Sequence, residues 1–268
     1  MTSATDQVQP ADVWREADEA KKFLDQAAIE LAANKAELDA LLRIQAGSHV
    51  LDVGCGTGAD VRAIALRVGP GGKVVGIDSS EQLIAKSQPP TGPEAAPVEF
   101  LHGEAGALPF ADNTFDAARA ERVIEHVPDP AAAVAEMLRV VKPGGQVLIT
   151  DPDHGLWAPD LEDRELTRRI MNWWGDHVPN PWVARQLRDL FVQAGAVDVT
   201  VKVQPVVLTS LAAANALTWV GKAAELAALQ GVAGKEEAKA WGEEILRRDA
   251  EGTFLMLGTF VVVSGTKK

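Results

Sequence analysis

Two carboxylates bracket a run of glycines in this sequence of 268 residues. Residues 50–58 read VLDVGCGTG, an apolar strand that enters a turn at Gly54, Gly56 and Gly58. Glycine suits such a turn because the chain must reverse tightly and approach a ligand with no Cβ in between. The turn alone is ambiguous, since Gly54, Gly56 and Ala59 satisfy the relaxed dinucleotide fingerprint G-x-G-x-x-A. Asp52 discriminates. A carboxylate two residues ahead of the first glycine repels a pyrophosphate but attracts a ligand that carries an ammonium and a sulfonium. A second acid, Asp78, ends the next strand 24 residues after Gly54 (78 − 54), where a carboxylate can accept both hydroxyls of a ribose. Ligands of either class use that acid.

These residues need a frame. Residues 49–53 read as a strand, 59–68 as the helix leaving the turn, 73–77 as a second strand and 81–87 as a short helix. After a proline-containing loop over 88–97, strands follow at 98–101 and 115–120, a helix at 131–140 that stops at Lys142–Gly145, and a fifth strand at 146–150. Alternating strands and helices with short connections predict a parallel sheet covered on both faces, a doubly wound α/β architecture. Ahead of it, residues 12–43 carry apolar residues at helical spacing and form one long helix or two short ones. Beyond Thr150 the rhythm changes: helices at 160–174 and 182–193, a strand at 197–208, a helical stretch at 211–249 and strand character at 254–264. An insertion between two strands sits most economically over the sheet edge as a lid. The expected organisation is an N-terminal helical segment over 1–44, a ligand-binding core over 45–155, a helical lid and core helix over 156–195, and the last strands over 196–268 with a helical insertion at 210–252.

Composition narrows the partners. Twenty-six Lys and Arg against 38 Asp and Glu give a formal charge of −12, and no basic run offers a local patch for nucleic acid or an anionic membrane. Hydrophobic residues at 47% suit a chain that buries a real core. The single cysteine, Cys55, excludes an intramolecular disulfide framework and a Cys-rich metal site. The first ten residues do not read as a signal peptide, and no apolar stretch reaches the length of a membrane span. A small-molecule partner and a cytoplasmic location are the expectation.

Residues 50–58, Gly76–Ser79, Gly103–Ala105 followed by Leu108, Pro109 and Phe110, Phe115–Asp116, His126–Asp129 and Leu138–Gly145 occur in that order. Together they resemble the class I S-adenosylmethionine-dependent methyltransferases, and in particular the small-molecule group similar to the ubiquinone and menaquinone biosynthesis enzymes. The resemblance covers about residues 45–155. It implies a Rossmann-like sheet, mostly parallel with an antiparallel last strand and helical lid insertions, and S-adenosylmethionine as cofactor. It also implies that Asp52, Gly54, Cys55 and Gly56 line the methionine portion and that Asp78 takes the ribose hydroxyls. Ser79 would lie beside the adenine, Glu104 and Ala105 would meet the ring, and the Ala120 carbonyl would meet the cofactor amino group. Glu104 stands where aspartate is more usual.

On the acceptor side, Glu121 and Arg122 follow the fourth strand and point to where an acceptor would lie, unless they form a structural ion pair. His126, an imidazole that can take a proton from a hydroxyl or an acidic carbon, is a candidate base together with Glu121; its other role is to hold the loop. Asp151, Asp153 and His154 follow the fifth strand, where with Glu121 they would make an oxygen-rich cation site or an ordinary Asp-Pro-Asp turn; no metal is expected. Trp157, Trp173 and Trp174, in a chain with no tyrosine, suit either an apolar acceptor under a lid or plain packing. Arg122, His154 and these tryptophans are the candidate acceptor-binding residues. The N-terminal helix closes the same pocket or serves a homodimer. The expected activity is methyl transfer to a small, hydrophobic metabolite: aromatic, quinone-like, polyketide or isoprenoid. Two other readings stay open: a cofactor fold used for a non-methylating reaction or for binding, and an NAD-dependent oxidoreductase, against which Asp52 argues.

Overall fold

Five strands run from His49 onward, as the periodicity predicts, with a helix in each connection except that between the third and the fourth. They are β1 (His49–Val53), β2 (Lys73–Asp78), β3 (Val98–His102), β4 (Phe115–Glu121) and β5 (Val141–Pro152), with α1 (Ala59–Val68), α2 (Glu81–Ile84) and α3 (Pro130–Val140) between them. The computed structural model describes residues 40–268 throughout, together with Lys22, Phe23, Gln26, Ala27, Glu30, Leu31, Lys35 and Leu38. Most of the helix expected over 12–43 lies outside the described residues.

The described chain divides into two compact units. The larger contains Ala28–Asp153, Pro179–Val206 and Thr259–Lys268. Its sheet runs β3-β2-β1-β4-β5-β8, where β8 is Met256–Thr266, and β7 (Val197–Leu208) also pairs with β8. The pairs among β1 to β5 are parallel, and β8 is antiparallel to β5. One face packs Leu51, Val53, Ile77 and Ile149 against Val134 and Met137 of α3 and Leu187 and Phe191 of α5 (Val183–Gln193). The other packs Val50, Val74 and Leu148 against Val61, Ile64 and Val68 of α1 and against Leu38 and Leu42. Each such buried side chain contributes about 1.5–3 kcal/mol. Caps set the helix starts: Asp129 Oδ1 accepts from Ala132 N at 3.0 Å with Pro130 in the first turn, and Gly69 (φ +66) ends α1.

The smaller unit contains the described residues up to Ala27, His154–Val178 and Val207–Gly258. It holds α4 (Arg164–Gly175), α6 (Leu211–Thr218), α7 (Val220–Leu229), α8 (Lys235–Ala250) and the short strand β6 (Ala158–Pro159), which pairs with the start of β8. Asp163 caps α4 by accepting from Leu166 N at 2.9 Å. Buried Trp241 donates its indole N–H to Thr167 Oγ1 at 2.9 Å, tying α8 to α4.

Two boundaries differ from the sequence expectation, each through a left-handed residue. The helical stretch over 211–249 is three helices, because Trp219 adopts φ +56 between α6 and α7, and Gly231 adopts φ +72 before α8. Strand β5 begins at Val141 instead of after the glycines. Val141 pairs with Phe115, the register then shifts, and Gly144 (φ +80) lets the extra residues bulge before Gln146 meets Ala117.

Candidate functional site

The glycine turn after β1 is built by contacts that only glycine permits. Gly54, Gly56 and Gly58 have φ of +69, +54 and +78, the left-handed region that costs other residues about 1–2 kcal/mol each. A Cβ on Gly54 would stand 2.2 Å from Val123 Cγ2, and one on Gly58 2.5 Å from the Phe100 ring. The turn is tied to β2 by Gly54 N and Cys55 N, which donate to the Ile77 carbonyl at 2.7 and 3.1 Å. The Cys55 side chain packs in the core under Gly76, and burial pushes its thiol well above the ordinary range. What the turn leaves to a ligand is backbone.

Asp78, at the end of β2, locks this geometry. Its Oδ2 accepts from Gly56 N and its Oδ1 from Ser80 N, both at 2.8 Å. A carboxylate offers about four lone-pair positions, so each oxygen keeps one for a further donor. Two fixed acceptors side by side match the vicinal hydroxyls of a ribose. Ser79 and Glu104 are exposed nearby in the chain fold, Ala105 is buried, and Gly103 N donates to the Asp78 carbonyl at 3.0 Å, which joins the β3 end to this edge. Ala120, fully buried on β4, lies in register with Val53 of β1.

Asp52 is also buried, and it is not alone. In register beside it on β4 is Arg119, whose Nε lies 3.7 Å from Asp52 Oδ1 and whose Nη1 lies 3.2 Å from Asp60 Oδ2. Arg119 also pairs closely with Glu121. Lys35 Nζ joins the cluster, 2.7 Å from Asp60 and 3.5 Å from Glu121. Burial pushes Asp52 up to about 7 against the pull of Arg119, whereas Asp60, despite its own burial, is held down to about 2 by Arg119 and Lys35. Sequence reading missed Arg119, Asp60 and Lys35. The available signal was an arginine between two alanines inside a strand that must be buried on both faces.

Comparison with known proteins places the chain in a family. The family described as "Methyltransferase domain" matches residues 51–149. Over 176 residues the chain is 34% identical to a demethylmenaquinone methyltransferase of Shouchella clausii, covering 59% of this chain and 74% of that one. The chain belongs to the S-adenosylmethionine-dependent methyltransferases. It is also 34% identical over 245 residues to an uncharacterized 37.1 kDa protein in transposon TN4556 of Streptomyces fradiae, covering 90% of this chain and 69% of that protein. In fold it is similar to Haemonchus contortus phosphoethanolamine N-methyltransferase 2 solved with S-adenosyl-L-methionine, with a TM-score of 0.60 at 18% identity over 96% of this chain and 59% of that one.

The residues of this methyltransferase fit its cofactor. Each Asp78 oxygen, held by one backbone N–H, keeps an acceptor position for one hydroxyl of a diol.

On the far side of β4 the candidate acceptor residues separate. Glu121 faces the Arg119 cluster, with its side chain 8% exposed. Arg122 takes φ +56 and donates its backbone N–H to the Thr150 carbonyl at 2.8 Å, which swings Val123 over Gly54. His126 keeps 39% of its side chain exposed, with Nε2 3.5 Å from Oε1 of buried Glu125. Asn180 holds this loop: its Nδ2 donates to the carbonyls of Ile124, Glu125 and Val127 at 3.3, 3.3 and 2.7 Å. Asp151 is fully buried beneath, and accepts from Glu125 N at 3.3 Å. Desolvation first, and then Glu125, raise the Asp151 carboxyl well above its ordinary value. Asp153 is engaged by Arg185 Nε at 2.6 Å, and Arg185 in turn lies over the Trp182 ring. Among the described residues no group of three His, Cys, Asp or Glu side chains is placed to hold a metal.

His154, Trp157, Trp173 and Trp174 all belong to the smaller unit. Trp157 is buried against Gly258, where a Cβ would stand 2.3 Å from the indole. Trp174 is buried too, while half-buried Trp173 makes an edge contact with His177, with ring centroids 4.5 Å apart. His154 packs on Gly175. No helix of the described residues is long and apolar enough to cross a membrane.

Proposed function

We propose that this methyltransferase acts on a small hydrophobic metabolite, of quinone-like, aromatic, polyketide or isoprenoid type. The similarity to demethylmenaquinone methyltransferase across 74% of that protein carries this reading, and the charge of −12, which repels polyanions, agrees with it. The lone cysteine, free and buried, suits a reducing compartment, and we take the enzyme to work in the cytoplasm.

The cofactor supplies an activated methyl group on sulfonium, so the chain's task is to align, to exclude water and to hold a proton. Of the two candidate bases, His126 is the better placed. Its exposed ring stands beside buried Glu125, with Nε2 3.5 Å from Oε1, and is open to a substrate proton. Glu121 is already committed to Arg119 and Lys35. Arg122 and the exposed rim of its loop are the residues offered to the acceptor.

The test is to incubate the enzyme with S-adenosylmethionine and, separately, a reduced naphthoquinone, a set of phenols, tRNA and DNA. S-adenosylhomocysteine and a methylated product should form with a quinol or phenol. Turnover with nucleic acid alone would refute the substrate class, and conversion of a quinol without S-adenosylhomocysteine would favour the non-methylating reading. With an acceptor in hand, His126→Ala should lower kcat by about 10²–10⁴-fold with cofactor affinity unchanged.

A further inference from the structure

We propose that Trp182, braced by Arg185, selects the acceptor of this methyltransferase: the free face of its indole is the platform on which a planar aromatic acceptor lies. This rests on the reading that the acceptor is a small hydrophobic metabolite, and narrows it to the aromatic and quinol-like members of that class.

Exposure singles the residue out. Of the described tryptophans, Trp157, Trp174 and Trp241 are buried and Trp173 and Trp219 are half-buried, whereas Trp182 leaves 49% of its surface in water. An uncovered indole forgoes the burial that the others obtain, and that burial remains available to a ligand.

Position gives the exposure a purpose. Strands β1 to β5 are parallel, and ligands of such a sheet bind beyond the carboxyl ends of its strands. Two anchors bring Trp182 to that edge. Asn180 N donates to the Glu125 carbonyl at 2.9 Å and Asn180 Nδ2 to the Val127 carbonyl at 2.7 Å, which fastens the chain to the loop after β4. That loop carries His126, and its Val123 stands against Gly54 of the cofactor turn. Arg185 Nε donates to Asp153 Oδ2 at 2.6 Å, one residue past the end of β5. Trp182 is two residues after Asn180, so their Cα atoms are at most about 7.6 Å apart. All of these residues belong to the larger unit.

The ring is also held ready. Arg185 Cζ lies 3.9 Å from the Trp182 ring centroid, and the Asp153 side chain that anchors the guanidinium is only 4% exposed. One face of the indole is thus covered by a cation fixed to a buried carboxylate, and the opposite face and the ring edge are left to solvent. An indole braced from behind offers a rigid plane at small entropic cost. A flat ring can overlap that plane in an offset stack, and a puckered saturated ring cannot.

The experiment is fluorine NMR of the full chain labelled with 5-fluorotryptophan and saturated with S-adenosylhomocysteine. Loss of one signal in Trp182→Phe assigns its resonance. Titration with 2-naphthol should shift that resonance to saturation, and cyclohexanol at the same concentrations should not. By calorimetry, Trp182→Ala should raise the 2-naphthol Kd about tenfold, and Trp182→Phe should recover part of the loss. Arg185→Gln, which unbraces the ring, should raise it about threefold, with Arg185→Lys between Gln and native. The S-adenosylhomocysteine Kd should stay within about twofold of native in all four variants, which a general loss of structure would not allow. Absence of 2-naphthol binding, a Trp182 signal unmoved while 2-naphthol binds or is methylated, an equal shift with cyclohexanol, or an unchanged 2-naphthol Kd in Trp182→Ala would each overturn the proposal. If 2-naphthol saturates the Trp182 signal but yields no S-adenosylhomocysteine from S-adenosylmethionine, the platform stands and methyl transfer to phenols falls.

Discussion

Gly54→Ala tests whether the turn is glycine-built for a physical reason. Two costs add. The residue sits at φ +69, where a Cβ costs about 1–2 kcal/mol, and that Cβ would stand 2.2 Å from Val123 Cγ2 and 3.0 Å from Cγ1. Val123 cannot swing away freely, because the backbone before it is held by Arg122 N donating to Thr150 O at 2.8 Å, so overpacking adds about 1–3 kcal/mol. The sum is about 2–5 kcal/mol, and at roughly 2–4 °C per kcal/mol for a chain of this size the Tm should fall by about 4–20 °C. Val123→Ala removes both clashing methyls. In the native background it should destabilise, but in the Gly54→Ala background it should recover the overpacking share, leaving the cost of φ behind. Urea unfolding of the four members of this cycle gives the coupling directly, and about 1–3 kcal/mol is expected. A double variant whose stability equals the sum of the singles within about 0.5 kcal/mol, or a Gly54→Ala chain as stable as the native one, would refute the reasoning.

Three further outcomes follow from other contacts. Asp78→Asn points an amide donor at a backbone N–H of Gly56 or Ser80 and loses charge-assisted acceptance, worth about 1.5–3 kcal/mol, so the S-adenosylmethionine Kd should rise at least about tenfold by calorimetry; a change under twofold would remove Asp78 from the site. Asp151 has a folded pKa above its ordinary 3.8, so its contribution to stability is complete below that value and is lost as pH rises through the folded pKa. Asp151→Asn should therefore raise Tm relative to native at pH 8, with a difference that shrinks toward pH 4; a constant difference across that range would contradict the assignment. Thr167→Val strands the buried Trp241 N–H and should cost about 1–3 kcal/mol in urea unfolding, with Thr167→Ser close to native. Equal losses in the two variants would show that the methyl group of Thr167, and not its hydroxyl, matters.

Local chemistry was legible in the chain itself. The strand, the glycine turn and the following helix are dictated by residues adjacent in sequence, so their order, the α/β alternation and the placing of Asp52, Gly54 and Asp78 at one sheet edge could be read from spacing alone. The same holds for β7, whose bounds at Val197–Leu208 follow the apolar pattern. Boundaries that depend on a left-handed residue could not: nothing in the composition around Trp219 forecasts φ +56, which tertiary packing imposes. Charge was the least legible feature. Glu121 read as an acid facing an acceptor or paired with Arg122, yet its partners are Arg119 and Lys35, which Asp60 of α1 shares, because β1 and β4 are neighbours in register and α1 crosses the same face. Residue types and spacing decided which family of chemistry this chain can perform, because a ligand-binding turn is local. Which carboxylates are ionised, which cation each one owns and which histidine has an acid behind it were decided by the tertiary structure, because electrostatic energy depends on distance and burial between residues that the chain keeps far apart.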